Sequence, residues 1–564
     1  MKYFMLGLMC LSVSHRMLAE VIEKIPNPVL LGIDNAGGFL PQSGVEDWNH
    51  EPFFQALDEL GAKLVVYHFF PVGHAGEKNS ELTRQRIEAI DKGMRAHGLQ
   101  YMLNVEMPNF VSQLEITPGI NEFEHPGGIH RWDLRMDWLN PVLPPIAVGT
   151  PAFRGIVYDE CEHMLLSNNK FSGFPKDEFD QPFLVNTHGM PPEEAYEKLV
   201  AECRRIRVEH YENRVRLQTE QVWPDLFHLF ARAGWDIAPK LLKEGLSSVA
   251  LSISLGAAVQ YQETGISFSA SPDLWNRAEY PGHSPEALRS ALMMGYWLGA
   301  ERLYVENLDY HGKEPRHPGT SPKGSLLAWR DTEHYELTNH GRVVQDFFKA
   351  YVPAHPRTTH WREYDPKVAI IRLPDGGWGQ FSEGPGHGEA ASRNRLLGNR
   401  EMPLDEAASE WLQVWPILTH GKAHAGAIST NNPFVYPDGV GDFFVPIDSV
   451  AVFDHLVDKE HLAHVDCLIV CGHALSATTF AAVRERVTEG ATCVISKRLF
   501  EHYSKTPLPG DWLVVEDFES PEVASKLKPF LGPPDVARFR FRTQVVEFRH
   551  SLTPDSIEVK VTAR

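Results

Sequence analysis

No Cys-x-x-Cys pair occurs anywhere in the 564 residues, and only six cysteines are present, at positions 10, 161, 203, 467, 471 and 493. That argues against a zinc ribbon and a disulfide framework. The last three lie in apolar, strand-like runs, where cysteine behaves as a small buried hydrophobe. His-Glu-x-x-His is missing too, and the Gly-rich stretch at 375–388 matches neither a Walker loop nor a dinucleotide fingerprint. Basic residues are in deficit: 54 Lys and Arg face 74 Asp and Glu, a formal charge of −20. Such a surface repels polyanions, which excludes a general nucleic-acid binder while leaving room for a few local cations. No repeat, low-complexity tract or membrane-length apolar run is present. The apolar stretch 3–13 has only the length of a secretory h-region and follows a single Lys2. Residues 1–19 are therefore expected to be a signal peptide, and the protein secreted or periplasmic.

What the chain has in quantity is alternation. The short apolar runs are VLLGID (29–34), KLVVYHFF (63–70), QYMLNVE (100–106), GIVYDE (155–160), VRLQTE (215–220), IAPKLL (237–242), GISFSA (265–270) and RLYVEN (302–307). Amphipathic segments separate them, among them SPEALRSALMMGYWLGA, where Ser284 suits an N-cap and Pro285 the first turn. Strand then helix, eight times over, predicts an α/β fold of the (β/α)8 TIM-barrel kind, over residues 20–358. The pattern restarts at KVAIIRLP and continues through HVDCLIVCGHALS, ATTFAAVRERVTEG and ATCVISKRL, predicting a smaller open parallel α/β domain over 359–510. Period-two alternation in RFRFRTQVVEFRHS and SIEVKVTA predicts a β-rich C-terminal unit over 511–564.

Barrel chemistry sits at the carboxyl ends of the strands. Those ends carry Asp34, His68, Glu106, Asp159 with Glu160, Glu220, Lys243 with Glu244, Asp273 and Glu306, an acid at or just beyond nearly every strand. Glycoside cleavage needs two facing carboxyl groups, one to protonate the leaving oxygen and one to act as nucleophile or to activate water. Glu160, Glu220 and Glu306 are the candidate catalytic residues, with Asp159 beside them. Asp34, His68, Glu106, Trp223, Lys240, Asp273, Trp275, Arg277 and His283 are candidate substrate contacts. Trp223 and Trp275, in loops after strands, would stack on a sugar face, and Lys240, Lys243, Arg277 and His283 would suit an anionic group. Each acid taken singly reads equally well as a salt-bridge partner or helix cap. Two alternatives stand beside hydrolysis: a carbohydrate-binding protein on a degenerate barrel, and metal-assisted hydrolysis through the DECEH stretch at 159–163. No cofactor and no metal are expected.

The domain order, with HVDCLIVCGHALS…FAAVRERVTEGATCVIS after an acid-rimmed barrel, resembles family 42 β-galactosidases among the barrel glycoside hydrolases. The resemblance implies a class I glutamine amidotransferase-like second domain and a carbohydrate substrate; that second domain is expected to be a scaffold or a homo-oligomer contact. The resemblance also implies Glu160 as acid/base after the fourth strand. The family's nucleophile, a Glu after the seventh strand, has no counterpart here: that strand runs into Ser271-Pro272-Asp273. Glu220 and Glu306, at the ends of strands five and eight, are the substitute pair by spacing. Cys471-Gly472-His473 lacks the Gly-x-Cys-x-Gly turn of an active amidotransferase, so the second domain is expected to be inert.

Overall fold

A computed structural model describes residues 28–35, 51–68, 77–105, 150–162, 187, 189–210, 215–242, 246–273, 284–306, 308, 325–329, 334–376, 405–423, 444–550 and 556–564. The expected signal peptide, 1–19, lies outside them.

Eight strands close into a barrel in sequence order: β1 (Leu30–Asp34), β2 (Leu64–His68), β3 (Gln100–Val105), β4 (Phe153–Asp159), β5 (Leu217–Gln221), β6 (Asp236–Leu241), β7 (Ser269–Pro272) and β8 (Arg302–Val305). Each strand pairs in parallel with the next, and β8 returns to β1. The eight predicted strands are thus all present, with one displaced. The expected 265–270 strand begins only at Ser269, because Gly265 sits in the left-handed region (φ +78°) and closes a short turn at Gln262–Thr264. Its neighbour helix Pro285–Trp297 starts as predicted, with the Ser284 hydroxyl accepting from the Ala287 N–H.

A ribbon of β9 (Leu327–Trp329) and β10 (Tyr335–Leu337) follows. Then come β11 (Val368–Arg372), β12 (Ile447–Asp448), β13 (Val450–Asp454), β14 (Cys467–Val470), β15 (Thr492–Ser496) and β16 (Asp511–Val515). β11 and β13–β16 form a parallel sheet of order β13-β11-β14-β15-β16. The last sheet joins β12 to β17 (Val536–Arg540), β18 (Gln544–His550) and β19 (Ile557–Ala563). The expected boundary after residue 510 therefore shifts: Asp511–Val515 is an edge of the α/β sheet, paired along its length with β15.

Barrel and second sheet share one hydrophobic core. Between them lies the helix Ser247–Gln260, apolar all round and buried at every position, as a helix enclosed on all sides must be. Its Gly256 passes so close to β13 that an added Cβ would stand 2.0 Å from the Val452 carbonyl oxygen. Polar contacts fix the same seam: His228 Nε2 bonds to the Val452 carbonyl at 2.9 Å, and the Tyr196 hydroxyl donates to Asp454 at 3.0 Å.

Candidate active site

Side chains along a strand alternate, so each barrel strand sends every second residue inward. On β1–β4 the inward set is mostly apolar: Leu64, Val66, Met102 and Val157, with Leu30 packed against them, cluster with the Tyr304 ring of β8 apart from the main core. On β5–β8 it is polar: Gln218 and Glu220, Asp236 and Lys240, Ser269 and Ser271, then Arg302 and Tyr304, followed by Glu306, all buried. A one-residue bulge in β4 opposite Tyr101 and Met102 aligns this pattern. It is set by Gly155, whose φ of +137° and close approach to the Arg216 carbonyl oxygen (2.4 Å from an added Cβ) admit no side chain.

The centre of the mouth is Lys240. Its ammonium lies 2.8 Å from Glu306 Oε2, 3.0 Å from Asp159 Oδ1, 3.4 Å from Glu160 Oε1 and 3.7 Å from Glu220 Oε1. Consecutive strand residues face opposite ways, yet Asp159 and Glu160 both reach this nitrogen. Backbone geometry explains it: Glu160 takes a left-handed conformation (φ +50°) just past the strand end, while its N–H still donates to the Glu220 carbonyl at 2.8 Å. Asn104 Nδ2 donates to both Asp34 Oδ2 and Asp159 Oδ2, each at 3.2 Å, which ties a further carboxylate into the cluster.

Several carboxylates around one ammonium cannot all ionise without net repulsion. Burial opposes the charge of Lys240, but Asp159, Glu306, Glu160 and Glu220 together hold its pKa well above the usual value. Burial raises Glu220; the Lys240 charge opposes it, Asp159 and Asp34 add to it, and the Tyr304 hydrogen bond opposes it, leaving the pKa at about 8. Glu220 thus carries a proton at neutral pH, which relieves part of the repulsion among the carboxylates around the ammonium.

All four expected catalytic residues converge, and Asp34 joins them through Asn104. Asp273 directly follows β7 in full burial, its N–H donating to the Leu241 carbonyl at 2.9 Å. His68 closes β2; its side chain, like Glu106, Lys243, Glu244, Trp275, Arg277 and His283, lies outside the described residues. Two expectations change. Trp223 is no stacking platform: it is buried in the main core, where the chain after β5 turns back into the short helix Pro224–Leu226. Lys240 is no receptor for an anion, since four carboxylates enclose it. The DECEH stretch also divides: Asp159 and Glu160 reach Lys240, Cys161 and Glu162 turn to other partners, and His163 lies outside the described residues. Cys161 Sγ lies 3.4 Å from the Thr219 hydroxyl, and Glu162 accepts the Val222 and Trp223 N–H groups at 2.8 and 3.2 Å. Among the described residues no three His, Cys, Asp or Glu side chains are arranged to hold a metal ion.

Asn104 and Tyr304 were not expected at the site. Both sit within apolar-looking runs, and only the inward alternation from Glu306 and Val157 would have exposed them. The Tyr304 hydroxyl donates to Glu220 Oε2, and Gln218 Nε2 donates to that hydroxyl at 2.7 Å.

Comparison with family models and with curated proteins gave no match. Among solved structures the chain is similar to a β-galactosidase from Bacillus circulans sp. alkalophilus (TM-score 0.49, 11% identity, 85% of this chain and 72% of that one). It is similar also to a β-galactosidase from the psychrophilic Marinomonas ef1 (TM-score 0.49, 12% identity, 92% and 95%). An exo-β-1,4-mannosidase from Opitutaceae bacterium strain TAV5 is a third (TM-score 0.45, 11% identity, 95% and 86%).

Proposed function

We propose that the chain is a glycoside hydrolase, on one observation above all: Asp159, Glu160, Glu220 and Glu306 converge on one buried lysine at the carboxyl mouth of the barrel. A glycosidic bond breaks when its leaving oxygen is protonated while an anion faces the developing oxocarbenium ion. Glu220, protonated at neutral pH, supplies the acid. Glu306, ion-paired with Lys240 at 2.8 Å, supplies the anion. The separation of Glu220 Oε1 and Glu306 Oε2 cannot exceed their two Lys240 contacts laid end to end. That limit is no longer than the shortest spacing of inverting pairs, about 6.5 Å, and favours retention with Glu306 as nucleophile. Asp159 and Glu160 keep the site negative, as a cationic transition state requires. The second α/β unit we read as an amidotransferase-like scaffold without chemistry of its own: Cys471 is buried and its thiol pushed up, first by burial and then by Glu410.

The test is hydrolysis of a panel of aryl glycosides and oligosaccharides, with the first-formed anomer read by NMR. Release of a sugar of unchanged anomeric configuration is expected. Tight sugar binding with no product after prolonged incubation would favour the binding-protein reading instead.

A further inference from the structure

The polar half of the barrel interior is a single hydrogen-bonded column. Arg302 Nε donates to Ser269 Oγ at 3.0 Å, Ser269 to Gln218 Oε1 at 3.1 Å, Gln218 Nε2 to the Tyr304 hydroxyl at 2.7 Å, and Tyr304 to Glu220 Oε2. At its far end Asp236 holds Arg302 at 2.5 Å and also pairs with Arg216, which is about half exposed. Every member from Arg302 to Glu220 is buried.

The direction of this column is not free. A guanidinium has donors and no acceptor, so Ser269 must accept from Arg302 and has its own proton left to give. The acceptor it finds is Gln218 Oε1, which turns the amide NH2 toward Tyr304. With that amide filling a lone pair on its oxygen, Tyr304 gives its proton to Glu220 Oε2. Running the column the other way would flip Gln218 and leave the buried Ser269 hydroxyl proton with no acceptor among its described contacts.

We infer that this one-way column is a positioning device that fixes the Glu220 proton on Oε1, the oxygen facing the carboxylate cluster. The inference rests on the reading of Glu220 as the acid and says which of its atoms delivers the proton. Oε2 already accepts from Tyr304; Oε1 has no hydrogen-bond partner, its neighbour being the Lys240 ammonium at 3.7 Å. When Oε1 transfers its proton to a leaving-group oxygen, the carboxylate formed keeps the Tyr304 donor on Oε2. The anion is thus stabilised by a dipole already in place, without rearrangement. The charged and titratable groups facing Glu220 are Lys240 from β6, Asp159 and Glu160 from β4, Asp34 from β1, and Tyr304 and Glu306 from β8 and its end. None of these other than Tyr304 donates to Oε2.

Neutron diffraction on deuterium-exchanged crystals near neutral pH tests the inference whether or not the protein cleaves any sugar. A deuteron on Glu220 Oε1, with the Tyr304 deuteron directed at Oε2, is expected. A deuteron on Oε2 pointing to Tyr304, with Tyr304 donating to Gln218, would overturn it. The second measurement is the carboxyl titration of Glu220 by 13C NMR, assigned with Glu220→Gln. In Tyr304→Phe the titration should rise by about one pH unit, because the anion loses its donor. An unchanged midpoint in a folded Tyr304→Phe variant would refute the column's hold on this proton, while failure of the hydrolase reading alone would leave both results intact.

Discussion

Glu220 shows how one side chain couples the site to stability. Its folded pKa of about 8 stands above that of an unfolded glutamate, about 4.3. The folded state therefore binds the proton more tightly. Its contribution is fully present below about pH 4 and is lost as pH rises through about 8. Glutamine, which cannot ionise, escapes that loss. Glu220→Gln should therefore gain stability over the parent as pH rises from about 4 to 8, by an amount on the order of a few kcal/mol, while losing activity. Urea denaturation at a series of pH values checks this; parallel curves for the two proteins would contradict it. The sequence pointed to Glu220 because an acid at a strand end is conspicuous. Lys240 was harder to place: IAPKLL looks like an apolar strand, and nothing local says that its one cation gathers acids from β4, β5 and β8.

The decisive elements are β4 and β8. Without the bulge, β4 would present Tyr158 to the interior in place of Asp159, since a slip of one residue exchanges the two faces of a strand. Gly155→Ala places a Cβ 2.4 Å from the Arg216 carbonyl oxygen and forces a left-handed backbone on alanine. We expect it to cost about 1–3 kcal/mol and to lower activity with the fold retained, because Asp159 and Glu160 move together. Circular dichroism with activity measurement checks it, and an unaltered Tm and turnover would contradict the role given to the bulge. The alternation of apolar runs was enough to place seven of the eight strands within about two residues at their starts. It failed at β7, where the turn glycine Gly265 resembles the first residue of a strand. Bulges are equally invisible in that pattern: an extra residue changes the pairing without changing the composition. On β8, RLYVEN hides Tyr304 among apolar neighbours, so the column below the acids could be found only by assembling four strands.

In the molecule as a whole, the barrel is not completed by its own helices. Ser247–Gln260 is hydrophobic on every face because β6 lies on one side of it and β13 on the other, and Gly256 lets β13 pack at backbone contact. The sequence divides the chain near residue 358, as its change of rhythm suggests, but the shared core gives the two units a common interior. A chain ending at residue 358 would expose that helix and should aggregate on expression. The full chain should unfold in one transition by calorimetry. A soluble, folded barrel from the shorter chain would contradict the shared core.

Leaving-group dependence bears most directly on the central claim, that Glu220 is the acid and Glu306 the anion of one hydrolytic site. Turnover of a dinitrophenyl glycoside, whose leaving group departs without a proton, is to be compared with that of a methoxyphenyl glycoside, whose leaving group needs one. The account predicts that Glu220→Gln slows the methoxyphenyl substrate by more than about a hundredfold and the dinitrophenyl substrate far less, whereas Glu306→Gln slows both. Equal rates for parent and both variants on either substrate would contradict it.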